Sequence, residues 1–62
     1  MNIEGDDENL NSLLDDLEYV SGAEVLSRHD TKTGGIIEIN TRAHTKPRIA
    51  ELARKHKLKV GF

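Results

Sequence analysis

Leucines at positions 10, 13, 14 and 17 repeat at i, i+3, i+4 and i+7, one apolar stripe on a helix of 3.6 residues per turn. The pattern predicts an acidic helix over residues 6–21. Asp6 or Asp7 can cap its start, and the acids of the first turn suit the positive end of the helix dipole. Gly22 is placed to end the helix in a left-handed conformation. A second stripe, Ile49, Leu52, Ala53 and His56, predicts a basic amphipathic helix over residues 45–56. Thr45 serves as its cap, and Pro47 falls in the first turn, where the missing N–H costs nothing.

Between the helices the period changes to two. Residues 23–41 predict a β-hairpin whose strands, 23–29 and 35–41, flank the polar stretch Asp30-Thr31-Lys32-Thr33-Gly34. The second strand is rich in β-branched residues, which suit a pleated surface. Val25, Ile37 and Ile39 are expected on the core face, which leaves Leu26 and Ile36 on the other face. Residues 58–62 alternate again, with Leu58, Val60 and Phe62 on one side. They predict a short strand that adds to the hairpin, or else a tail that docks on a partner. Residues 1–5 show no period and are expected as a flexible leader from which Ile3 can fold back. The fold class is α+β, in the order α-β-β-α-β: a small single-layer sheet, two-stranded or with a third C-terminal strand, packed by two helices in one domain.

Sixty-two residues bury a small core. A domain of this size covers only about 60% of the surface its unfolded chain exposes, so it commonly relies on disulfides, metals or partner subunits. The chain has no Cys. Disulfides, zinc–thiolate sites and thiol nucleophiles therefore drop out, and a reducing compartment is the natural one. A second copy is the simplest remaining support, which points to a homo-oligomer, in its smallest form a homodimer. Apolar runs never exceed two residues, so neither a membrane span nor a signal-peptide core is expected, and the expected location is the cytoplasm.

Charge is sorted by position. Residues 1–24 carry eight acids and no Lys or Arg, whereas residues 25–62 carry all nine Lys and Arg and three acids. Such asymmetry points to a charged partner or to another copy of the chain. The basic segment 42–59 offers Arg42, Lys46, Arg48, Arg54, Lys55 and Lys59 as phosphate contacts, the first criterion of a nucleic-acid-binding regulator. With one Tyr, one Phe and no Trp, it has almost no platform on which bases could stack. The plainer reading of the same charges is a solvated helix face.

Other chemistry is sparse. His29, His44 and His56 lack the spacing of a metal site, so no metal and no cofactor is expected. His44 between Arg42 and Lys46 could exchange protons beside a phosphate. No cleft-forming length or motif supports that set, and an enzyme is not expected. Tyr19, Leu26, Ile36 and Phe62 are apolar positions in excess of the core and are the candidates for a protein interface. The order of helix, hairpin and helix resembles the layout of small phage head–tail joining proteins and phage-encoded host inhibitors. That resemblance is one of layout alone, which does not imply function; it adds a phage-type protein of the inhibitor or assembly kind to the expectations and carries no site residues across. The function expected is a small non-enzymatic protein-binding module, an inhibitor, adaptor or assembly component. Its alternative is the nucleic-acid-binding regulator.

Overall fold

The computed structural model describes residues 1–61. The elements run β1 (Asn2–Gly5), α1 (Asp7–Leu17), β2 (Ala23–Thr31), β3 (Gly34–Thr41), α2 (Lys46–Lys55) and β4 (Lys59–Gly61). The sheet has four strands in the order β2-β3-β1-β4, and every neighbouring pair is antiparallel. This is the split β-α-β arrangement, in which two β-α-β units interleave. The α+β class and the order α-β-β-α-β hold, with one strand added in front.

That strand corrects the reading of residues 1–5 as a flexible leader. Asn2–Gly5 lies between β3 and β4 and pairs with both. Ile3 stands opposite Ile37 on one side and Val60 on the other, and it is fully buried. Four residues with a single large apolar side chain are too few to show a period of two. What holds this segment as a strand is the hydrogen-bonding edges on both sides, which lie far away in sequence.

Ile3, Ile37 and Ile39 share one face of the sheet, and both helices cover it. Leu10, Leu13 and Leu17 of α1, Ile49 and Ala53 of α2, and Leu58 complete the buried cluster. Burial of these side chains contributes roughly 1.5–3 kcal/mol for each large one. Leu14 and Leu52 pack at its margin. The opposite face carries Asn2, Glu4, Glu24, Ser27, His29, Ile36, Glu38, Asn40 and Lys59, as the register and alternation require. No described element covers it.

The helix ends are local matters. The first helix stops at Leu17, short of the expected 21, and the chain leaves it through tight turns, Tyr19 N–H to Asp16 O and Val20 N–H to Leu17 O. Gly22 does have positive φ (85°), but its carbonyl accepts from Arg42 N–H at the mouth of the hairpin, so it shapes the entry to β2 and not the helix end. The second helix closes without any glycine. Lys57 takes φ 59°, its N–H bonds Arg54 O at 3.0 Å, and Leu58 N–H bonds Ala53 O at 2.8 Å. That is a Schellman motif with Leu58 supplying the buried contact. In the hairpin only Lys32 and Thr33 lie between the paired ends Thr31 and Gly34, and the positive φ (148°) falls on Gly34.

Among the described residues no helix is long and apolar enough to cross a membrane.

Candidate functional site

β2 forms one edge of the sheet. It runs for nine residues, and its burial is intermediate or lower throughout. Its ladder with β3 is interrupted between Val25 and Ser27, where Leu26 is the extra residue of a bulge. Val25 stands opposite Ile39 and so points to the core face as expected, but at the edge strand the helices no longer reach over it. It is 41% exposed and Leu26 is 54% exposed, so two large apolar side chains lie next to each other on an unpaired edge. The expectation that Val25 belongs to the core is corrected here; alternation gives a residue's face but not its distance from the covering helices.

Arg28, opposite Ile37, also points to the helix side. Its guanidinium donates to Asn11 Oδ1 at 2.9 Å and to Asp7 Oδ1 at 3.3 Å, which draws the charge back onto α1. This ion pair is largely exposed, and such pairs contribute about 0–1 kcal/mol. Its effect is positional, because it leaves the outer edge of β2 without a protruding Lys or Arg near Val25.

The remaining interface candidates lie elsewhere. Tyr19, 88% exposed, stands in the turn after α1 in a shallow hollow with Ser21, His44 and Arg48. Ile36 is half-buried at the centre of the open sheet face, among Asn2, Glu4, His29 and Glu38. Phe62 lies outside the described residues. The structure thus distributes Tyr19, Leu26 and Ile36 over three surfaces, and of these Leu26 alone has an apolar neighbour on an open edge.

The basic set also divides. Arg42 lies in the loop entering α2, and Lys46, Arg48, Arg54 and Lys55 project from the helix itself, all exposed. Lys59 sits on the opposite side of the molecule, on the open sheet face opposite Glu4. The six residues therefore do not make one surface. Glu51 interrupts the stripe of Arg48, Leu52 and Lys55. The open sheet face carries Glu4, Glu24 and Glu38, and no aromatic residue lies on it among those described.

The histidines are separate. His29 lies on the open face of β2 and His44 in the loop before α2. The His44 ring is exposed and makes no hydrogen bond among the described residues. His56, the C-terminal cap of α2, is half-buried and joins Asp16 of α1, with Nε2 and Oδ2 at 2.6 Å. The hydrogen bond from His56 holds the Asp16 carboxyl below its ordinary value. Desolvation opposes the shift, and the charges of His56 and Lys55 add to it. Among the described residues no three metal-ligating side chains converge.

Sequence reasoning missed Val25 as an exposed residue and the bulge beside it. The signal that was available is composition: Ala-Glu-Val-Leu-Ser-Arg-His alternates poorly, as an edge strand with an irregular ladder does. Comparison of the chain with protein-family models, with curated proteins and with solved structures finds no match.

Proposed function

We propose that this chain is a non-catalytic protein-binding module, an inhibitor, adaptor or assembly component, and that it binds by accepting a strand on the outer edge of β2. One observation carries the reading: a nine-residue edge strand exposes Val25 and Leu26 side by side. An unpaired edge is a row of main-chain donors and acceptors ready for another strand. In strand addition those groups give affinity, and alternate side chains give specificity. Val25 and Leu26 supply the apolar contact that makes one position along the edge preferred. The absence of Cys agrees with action in a reducing compartment such as the cytoplasm.

Selection of extended peptides from a display library tests the reading. The protein should enrich strand-forming sequences, and Leu26→Lys should release them while leaving the circular dichroism spectrum unchanged. A monomeric protein that returns no binder, or binders indifferent to Leu26→Lys, would remove the edge as the working surface.

A second reading rests on Arg42, Lys46, Arg48, Arg54 and Lys55, which project from one helix and its entry loop and form no ion pair among the described residues. They could contact phosphates of a nucleic acid. Glu51 within the stripe and the acidic α1 beside it weaken the local potential, which places this reading second. If it holds, Arg48→Glu with Lys55→Glu lowers affinity alike for all sequences and flattens the salt slope.

A further inference from the structure

We propose that the strand received by β2 is the β2 of a second copy, paired antiparallel about a two-fold axis at Leu26–Ser27. The proposal rests on the edge-binding reading above and names its occupant. The bulge is the reason to choose a copy over a foreign strand. An irregular ladder bends its strand and increases the local twist. A regular strand laid against β2 would meet a bent edge, whereas a second β2 carries the same bend at the same place. A two-fold axis through the bulge sets the two irregularities against each other.

The bulge also makes the strand nearly symmetric about its centre. Leu26 and Ser27 together take up one step of the ladder, because Val25 pairs with Ile39 and Ser27 with Glu38. Val25 and Arg28 then stand one step to either side, both on the helix face. Glu24 and His29 stand two steps to either side, both on the open face. A two-fold axis perpendicular to the sheet keeps each face with its like. It therefore brings Glu24 beside the second copy's His29, and Val25 beside the aliphatic stem of the second copy's Arg28.

The charges select this arrangement. Glu24 meets an imidazole that donates to it, and the guanidinium of Arg28 is already held by Asp7 and Asn11. Parallel pairing in register would set Glu24 against Glu24 and Arg28 against Arg28. Moving the axis to Arg28 brings the two guanidinium groups together, and moving it to Val25 leaves His29, Asp30 and Thr31 with no strand residue opposite. Like charges directly opposite destabilise a sheet, and opposite charges or apolar pairs stabilise it. The product is a continuous sheet in the order β4-β1-β3-β2-β2-β3-β1-β4. All four helices lie on one face, and an acidic open face runs across both copies.

The Cys-free chain allows a clean test. Single variants Ser27→Cys, at the axis, and Ser12→Cys, exposed on α1, are oxidised mildly and compared, while sedimentation velocity follows wild type and Leu26→Lys over a concentration series. The proposal expects a concentration-dependent dimer, rapid interchain crosslinking of Ser27→Cys over Ser12→Cys, and a dimer weakened about tenfold or more by Leu26→Lys. A chain that is monomeric at about 1 mM overturns the second copy as occupant. If it still selects strand peptides, the edge-binding reading survives. A dimer indifferent to Leu26→Lys, with both cysteines crosslinking alike, overturns the proposal, and with an empty peptide selection it overturns that reading as well.

Discussion

Lys57 holds a left-handed conformation, with φ 59°, at the position where helices commonly end on glycine. The conformation costs an L-residue about 1–2 kcal/mol, while glycine loses about 0.5–1 kcal/mol more backbone entropy on folding. Lys57→Gly is therefore expected to stabilise the protein by about 0.5–1 kcal/mol, read as a higher urea midpoint with an unchanged slope. Gly34 is the opposite case. A Cβ there would overlap Gly5 O and lie 2.9 Å from Asp6 Cα, and the backbone has φ 148°. Gly34→Ala must displace main chain at the β1–α1 corner, with an expected loss of about 2–4 kcal/mol in the same urea assay. Both residues show how far single positions could be read. Gly34 was legible as turn chemistry, but the corner pressed against it belongs to a segment that carried no strand signal. Lys57 gave no sign at all, because the usual mark of such an end is a glycine and the buried Leu58 contact does its work here.

At the scale of elements, the two helices and the hairpin were legible because each repeats its period for long enough to define a face. β1 was not. It consists of four residues, and its reason for being a strand is the gap between β3 and β4 that it fills. Ile3→Ala distinguishes a strand from a leader: truncating a fully buried side chain should cost about 2–5 kcal/mol in chemical denaturation, whereas in a leader it would cost almost nothing. The join between α1 and α2 was equally hidden, since Asp16 and His56 are forty positions apart in sequence. His56 falls on the apolar stripe of its own helix, and nothing in the spacing of the acidic helix marks Asp16 as its partner. Together they predict a pH effect. Asp16 titrates below its ordinary value of 3.8 when folded, so its contribution is present in full above that value and is lost as pH falls through the lower folded one. Asp16→Asn should be less stable than wild type at neutral pH, and the two should converge in acid below 3.8. Thermal melts across that range check it, and a constant gap at every pH would show that the charge of Asp16 is not what joins the helices.

For the whole molecule, charge sorted along the sequence becomes charge set side by side. The acidic first part and the basic remainder would be two ends of an extended chain. The fold instead lays the acidic α1 and the basic α2 on the same face of one sheet, their buried sides meeting in a common core. Among the described residues only Arg28–Asp7 and His56–Asp16 come within ion-pair distance. The rest of the attraction between the helices acts through solvent over several ångströms, where salt screens it. Repulsion within each helix acts in the opposite sense over similar distances. If attraction across the helix pair is the larger, raising NaCl from about 0.02 M to about 0.5 M should lower the stability modestly, by about 0.5–1 kcal/mol in urea titrations. The charge-reversing pair Arg48→Glu and Lys55→Glu should then invert the trend, because α2 loses its excess of cations and faces α1 as a like charge. A wild-type stability that rises with salt would mean that crowding of like charges within each helix dominates. In that case the juxtaposed helices would be held by their apolar faces alone, and the sorted charge would act on what approaches the molecule from outside.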